Sequence, residues 1–137
     1  MKTAQLPRRT QGVALLEVLV AILLFALGVL ALVGLQGALT RAQTDSKIRT
    51  DAAALASEVI GRMWADIDKL NDYNGTACAS HTRCKSWQDK VALTLPKGSS
   101  TITVTAGTGD VAVRLNWTTP SGETHRYETH TTIVTAN

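Results

Sequence analysis

Residues 12–35 read GVALLEVLVAILLFALGVLALVGL, and the rest of the chain is organised around this stretch. From Val13 to Leu35 the run is apolar except for small residues and one charged residue, Glu17. At about 1.5 Å of rise per residue, a helix of this length is long enough to cross the roughly 30 Å hydrocarbon layer of a bilayer. The run therefore predicts a membrane-spanning helix, residues 13–35, that carries a carboxylate close to its N-terminal end.

A short basic leader precedes this helix. Residues 1–12 contain Lys2, Arg8 and Arg9 and no acidic residue. Of the 14 Lys and Arg in the chain, the 11 outside the leader are matched by 11 Asp and Glu, so the net charge of +3 belongs to the leader. The positive-inside rule then predicts that the leader stays cytoplasmic and that the C-terminal domain lies across the membrane. Because the remainder is neutral, no nucleic-acid partner is expected.

The leader and the apolar run together have the organisation of an export signal. An ordinary secretory signal has an apolar core of about 7–15 residues and a small-residue cleavage site after it, whereas this core is longer and no clear site follows. The simplest alternative is an uncleaved signal anchor that holds a periplasmic binding protein or enzyme. Glu17 argues against that alternative, because carboxylates in membrane helices are costly and usually functional and paired. Cleavage after Gly12 would create an α-ammonium on Val13, four residues before Glu17, where the two charges could compensate each other.

The arrangement of Gly12, Val13 and Glu17 resembles the class III signal of type IV pilins and pseudopilins. That signal has a basic leader, a glycine at the cleavage point and a glutamate at the fifth mature position, followed directly by a long apolar helix. The resemblance implies that a prepilin peptidase cleaves after Gly12 and N-methylates Val13, which stands where the family usually has phenylalanine or methionine. It also implies that Glu17 helps to recruit the subunit into a growing helical filament. It implies no cofactor.

The helix is predicted to continue beyond the membrane as an amphipathic segment, residues 36–70. The face opposite its apolar stripe carries charges of both signs, among them Glu58 and Arg62, and is most simply a solvated surface. The turn-forming residues at 71–75 predict that the helix ends near Leu70. The apolar stripe of this segment recurs at steps of three and four residues, at Ile48, Ala52, Leu55, Val59, Met63, Ile67 and Leu70.

Residues 71–90 are predicted to form a loop that contains both cysteines, Cys78 and Cys84. An even number of closely spaced cysteines in an exported domain indicates one disulfide, with two reduced thiols as the alternative. Their spacing does not fit the usual zinc ligands, so no metal site is predicted. Trp87 is expected to anchor this loop on the helix or the sheet.

Residues 91–137 alternate apolar and polar residues between turn signals, which predicts an antiparallel β-meander. The whole chain is thus predicted to be an α+β protein whose long N-terminal helix, membrane-spanning in its first half, packs on this sheet. That architecture agrees with the pilin fold that the N-terminal resemblance implies. No catalytic residues are predicted, and His125 and His130 should face opposite sides of one strand. The predicted strands are 91–95, 101–105, 111–117 and about 125–134.

Within the superfamily the sequence is most similar to PilV-type minor pilins, also called type IV pilus modification proteins. This resemblance implies a single-pass inner-membrane protein that is processed and then enters the pilus at the cell surface, in a tip or priming complex. It implies a role in pilus assembly, adhesion or twitching motility. The similarity rests on residues 15–21, 28–36, 53–56, 61–65 and 86–96.

The partners that the resemblance implies are the prepilin peptidase, the major pilin, other minor pilins, the inner-membrane assembly platform and, before assembly, membrane lipid. A minor pseudopilin of a type II secretion system is the alternative within the superfamily. A DNA-binding competence pilin is disfavoured by the neutral charge of the chain without its leader.

Overall fold

The computed structural model describes residues 11–134, with side chains from residue 13 onward. The leader predicted at residues 1–12 lies outside the described residues except for its last two, which belong to the first helix. The chain divides into two compact units, Met1–Gln43 and Thr44–Asn137. The elements in chain order are α1 (Gln11–Ala65), two 3-10 helices (Ile67–Tyr73 and Gly75–Ala79), α2 (Thr82–Thr94), β1 (Ser99–Thr105), β2 (Asp110–Thr118) and β3 (Thr124–Thr132).

The described part of the first unit is a single helical segment with an apolar surface. No side chain between residues 13 and 43 is buried, and Leu16 and Phe25 are 65% and 74% exposed. Apolar surface is unfavourable in water at roughly 25 cal/mol per Å², whereas a helix can enter hydrocarbon because it satisfies its own backbone hydrogen bonds. By length and composition, this helix is able to cross a membrane.

In the second unit, the last part of α1 packs on the sheet through the predicted apolar stripe. The stripe is buried from Ile48 to Met63. The α-helix ends at Ala65, however, and the prediction that it continues to Leu70 is wrong. Asp66 has a non-helical backbone conformation (φ −117°, ψ 36°), and the chain continues as a 3-10 helix in which Leu70 is half-buried against the same core.

The predicted loop at residues 71–90 is also wrong, because most of it is helical. After the two 3-10 helices, α2 runs from Thr82 to Thr94. Cys84, Trp87 and Val91 form its buried side. These residues are three and four positions apart, which is the spacing of one helix face.

The first predicted strand, residues 91–95, is the C-terminal end of α2 and not part of the sheet. A strand would place Val91, Leu93 and Leu95 on one face. In the structure Val91 and Leu95 are buried, whereas Leu93 is 88% exposed. Here the apolar alternation coincides with the four-residue repeat of a helix, and the two patterns differ only in the position of Leu93.

The sheet contains the other three predicted strands in the order β1-β2-β3, and both pairings are antiparallel. Tight turns connect the strands at residues 106–109 and 119–123. The central strand β2 lies with one face against the helices, as predicted. Its buried residues alternate with less buried ones and are Val111, Val113, Leu115 and Trp117.

Candidate functional site

The predicted processing site lies at the start of α1. Gly12 and Val13 are both in the first turn of this helix, so the bond between them is near the beginning of the described chain. The side chain of Val13 is 68% exposed. Cleavage at this bond would make Val13 the first residue of a helix that is almost entirely apolar as far as Leu35.

Glu17 is the ionisable residue that the apolar part of α1 contains. It is exposed, and its neighbours Leu16 and Val18 are 65% and 57% exposed. Across residues 13–134, no hydrogen bond or ion pair involves its carboxylate. Residues four apart on a helix have Cβ atoms about 5–6 Å from each other, so an α-ammonium on Val13 would lie one turn from Glu17 on the same face.

Two charged residues of α1 that were predicted to lie on a solvated face instead connect α1 to α2. The carboxylate of Glu58 accepts hydrogen bonds from Arg62 and from Lys90 of α2, each at 2.7 Å. Arg62 also donates to the carbonyl of Arg83 at 2.8 Å and to the hydroxyl of Ser86 at 2.9 Å. The hydrogen bond from Lys90 is the largest cause that lowers the pKa of Glu58. These contacts fix the position of α2 on one side of α1.

A disulfide and an ion pair secure the segment between α1 and α2. Cys78 and Cys84 form the disulfide that the sequence predicts, and both are buried. Asp66, at the end of α1, accepts a hydrogen bond from the hydroxyl of Tyr73 at 2.7 Å and one from Arg83 at 2.6 Å. The first of these contacts is the main cause that lowers the pKa of Asp66. The segment is therefore attached at both ends.

Trp87 is the anchor that the sequence predicts, although it lies on a helix and not on a loop. Its side chain is completely buried. The indole N–H donates to the backbone carbonyl of Leu55 in α1 at 2.9 Å. The same side chain thus fills the space between the helices and ties them together.

The polar groups on the sheet do not form a metal site in the part of the chain that the structure describes. His125 faces the core side and packs beside Trp117, with ring centroids 5.8 Å apart. His130 faces the other side, as the odd spacing predicts, and lies at the edge of a shallow depression of about 540 Å³. In this depression the carboxylate of Asp110 is bonded to the hydroxyls of its neighbours Thr108 and Thr132, both at 2.8 Å.

Comparison with known proteins identifies one similarity, and it covers the N-terminal segment. The family model of the prokaryotic N-terminal methylation motif matches residues 7–33. No curated protein and no solved structure matches the chain. The matched segment contains Gly12, Val13 and Glu17 and most of the apolar run. The motif supports the assignment of this chain to the type IV pilin and pseudopilin superfamily, whose members are processed by a prepilin peptidase and assemble into a pilus or pseudopilus.

Proposed function

We propose that this protein is a minor type IV pilin of the PilV type. In this proposal a prepilin peptidase cleaves after Gly12 and methylates Val13, and the subunit then leaves the inner membrane and enters a pilus. The observation that carries the proposal is the apolar helix from residue 13, which contains one carboxylate and leads into a folded domain with a core of its own.

The apolar surface of α1 explains how one subunit has two environments. While the subunit is in the bilayer, lipid covers the exposed side chains of residues 13–35. In a filament, the apolar helices of neighbouring subunits would cover the same surface. The transfer between these environments exchanges one apolar contact for another, so the hydrophobic effect alone gives little preference for the filament.

The carboxylate of Glu17 gives the subunit a preference for the filament over the bilayer. A charge within a membrane helix costs up to about 2.5–3.5 kcal/mol on insertion scales. The α-ammonium of Val13 in the neighbouring subunit could neutralise it, and the attraction between the two charges is strong in a low-dielectric surrounding. Pairing between subunits therefore favours an incoming subunit whose N-terminus has been freed by cleavage.

The position of the disulfide supports a minor pilin over a major one. Major pilins often carry their disulfide near the C-terminus, whereas here the bond between Cys78 and Cys84 precedes the sheet and residues 85–137 contain no cysteine. The folded domain would present its surface at the pilus tip or in the priming complex, where other minor pilins are its neighbours.

The test compares the amount of the mature protein in sheared filaments and in membranes, in a strain that makes the pilus. Glu17→Ala should leave the domain folded but lower the filament fraction at least tenfold, since each loss of about 1.4 kcal/mol is tenfold in an equilibrium. The matched control is Asp51→Ala, which removes a carboxylate from the same helix outside the apolar run. The control should behave as wild type.

Two results would contradict the proposal. One is a wild-type level of Glu17→Ala in sheared filaments. The other is wild-type protein that is confined to the membrane while filaments are abundant, which would point to a pseudopilus or to a membrane-anchored protein with no filament role.

A further inference from the structure

Asn74 and Gly75 lie where the two 3-10 helices between α1 and α2 meet. Asparagine is one of the chemically labile residues, and it is most labile before glycine, which has no side chain to shield its backbone nitrogen. Both residues are exposed. Among the described residues other than its chain neighbours, no atom lies within 4 Å of the point where a side chain of Gly75 would begin. Water can therefore reach this pair of residues.

The reaction open to this pair is deamidation. The backbone nitrogen of Gly75 attacks the side-chain carbonyl carbon of Asn74, and a C–N bond forms between them. The side-chain amide group leaves as ammonia and takes the proton of the Gly75 N–H. Water then opens the resulting succinimide ring at either of its acyl C–N bonds, which gives aspartate or isoaspartate. Water is the only other reactant, and no group is oxidised or reduced.

The folded conformation of Asn74 keeps the reacting atoms apart. Ring closure requires the nitrogen of Gly75 and the Cβ of Asn74 to lie on the same side of the Cα–C bond between them. The ψ angle of Asn74 is 122°, an extended conformation that turns this nitrogen away from the side chain. The bond about which ψ is measured must therefore rotate before the reaction can begin.

Two hydrogen bonds oppose that rotation. The side-chain oxygen of Asn74 accepts the N–H of Val104 in β1 at 3.0 Å. The main-chain carbonyl of Asn74 accepts the N–H of Ala77 at 3.0 Å. In the succinimide both carbonyls belong to one ring, so they cannot keep these two directions. The segment must open locally before Asn74 can react.

The disulfide limits how readily this segment opens. Cys78 lies in the 3-10 helix that begins at Gly75, and its bond to Cys84 ties that helix to α2. The indole of Trp87 in turn attaches α2 to α1. A 3-10 helix has poor hydrogen-bond geometry, whereas a cross-link restricts the opened chain. Without the disulfide, this helix should open more often and release Asn74.

We propose that Asn74 is a deamidation site that the Cys78–Cys84 disulfide keeps closed. Chains that have formed the disulfide retain Asn74, and chains that have not convert it irreversibly to aspartate and isoaspartate. In isoaspartate the carbonyl that Val104 contacts joins the main chain, and the one that Ala77 contacts becomes a side-chain carboxylate, so neither can keep its present place. The disulfide thus sets the lifetime of the contact between this segment and β1. This property belongs to the folded domain and does not depend on entry into a filament.

The test follows deamidation of Asn74 by peptide mass spectrometry while the full chain is incubated in detergent and mildly alkaline buffer. The tryptic peptide of residues 70–83 also contains Asn71, which precedes aspartate and serves as the internal control. In the oxidised protein Asn74 should deamidate at least about tenfold more slowly than in the same chain unfolded in urea. Chemical reduction of the folded protein should raise its rate at least about threefold. Asn71 should remain slow in every sample.

Two results would overturn the proposal. Equal rates at Asn74 in the oxidised and the urea-unfolded chain would show that the fold does not protect this residue. Equal rates in the oxidised and the reduced folded chain would show that the disulfide does not control the reaction. Near-ultraviolet circular dichroism shows whether the reduced protein is folded, and if it is not, the pair of variants described next decides.

Two substitutions at one position isolate the hydrogen bond. Val104→Pro removes the N–H that Asn74 accepts, whereas Val104→Ala keeps it. This N–H points to Asn74 and not to β2, so proline removes no hydrogen bond between β1 and β2. With the disulfide intact, the proline variant should deamidate at Asn74 at least about threefold faster than the alanine variant. Equal rates in the two folded variants would contradict the proposal. If the proline variant does not fold, the comparison of oxidised with reduced wild type decides.

Discussion

The most direct test of the packing concerns Trp87, the side chain that joins α2 to α1. It is completely buried, and its indole N–H bonds to the carbonyl of Leu55. Trp87→Ala removes the whole ring from the core and should lower the free energy of unfolding by about 3–5 kcal/mol. That is a large part of the roughly 5–15 kcal/mol that stabilises a typical domain.

Trp87→Phe should lower the free energy of unfolding less than Trp87→Ala does, because it leaves no backbone group of α1 without a hydrogen bond. The carbonyl of Leu55 lies within α1 and also accepts the N–H of the residue one turn later, so it is not left unsatisfied. The loss is then the net value of one hydrogen bond, about 0.5–1.5 kcal/mol, together with the smaller ring. We expect a total of about 1–2 kcal/mol.

The assay is urea unfolding of the full-length protein in detergent, followed by near-ultraviolet circular dichroism. The matched control is Trp64→Phe, the same substitution at a tryptophan that is 48% exposed. It should change the free energy of unfolding by less than about 0.5 kcal/mol. Equal destabilisation of the two phenylalanine variants, or a loss of less than about 1 kcal/mol in Trp87→Ala, would show that Trp87 does not join the two helices.

Three further predictions concern the same domain. The hydrogen bond from Lys90 is the main cause that lowers the pKa of Glu58. The ionised carboxylate therefore stabilises the folded domain fully above its ordinary pKa of 4.5. This stabilisation is lost as the pH falls through the lowered pKa. Glu58→Gln should therefore lower the free energy of unfolding of the domain at neutral pH. In urea titrations at acid pH, the free energy of unfolding of this variant should decrease less than that of the wild type. In urea unfolding, Gly109→Ala should lower the free energy of unfolding more than Gly107→Ala. Gly109 and Gly107 both have a positive φ (+70° and +89°), but only at Gly109 would a Cβ collide with a backbone carbonyl. Removal of the Cys78–Cys84 bond by double serine substitution should cost about 2 kcal/mol in the same assay, and maleimide labelling of the wild type in cells should find both thiols blocked.

The sequence was sufficient to predict the elements in which apolar side chains recur at one regular spacing over many residues. The apolar stripe of α1 from Ile48 to Met63 and the alternating residues of β2 are both buried as predicted. Each element has one side facing the core and one side facing away, so its period is visible in the sequence. The pairing of Cys78 with Cys84 was predictable for a different reason, because the chain has no other cysteine.

The errors occurred where a short pattern fits two periods or where distant residues decide the local conformation. Residues 91–95 satisfy a strand and the end of a helix equally well. The spacing of Cys84, Trp87 and Val91 was the signal that favoured the helix. The end of α1 depends on Asp66, whose carboxylate is held by Tyr73 and Arg83 from other parts of the fold.

The features that matter most for interaction could not be derived from local pattern at all. Glu58 and Arg62 look like members of a solvated face until α2 is placed beside them. The contact between Asn74 and the edge of β1 likewise depends on the whole fold, since β1 and β3 have similar threonine-rich sequences but, within the described residues, only β1 bonds to Asn74.

The proposed function requires that the apolar helix begins a mature, processed subunit at Val13. The measurement that tests it most directly is the intact mass and N-terminal residue of membrane-extracted protein, from cells with and without their prepilin peptidase. The chain should begin at N-methylated Val13 when the peptidase is present and at Met1 when it is absent. A chain that begins at Met1 in both preparations would contradict processing after Gly12 and indicate an uncleaved signal anchor.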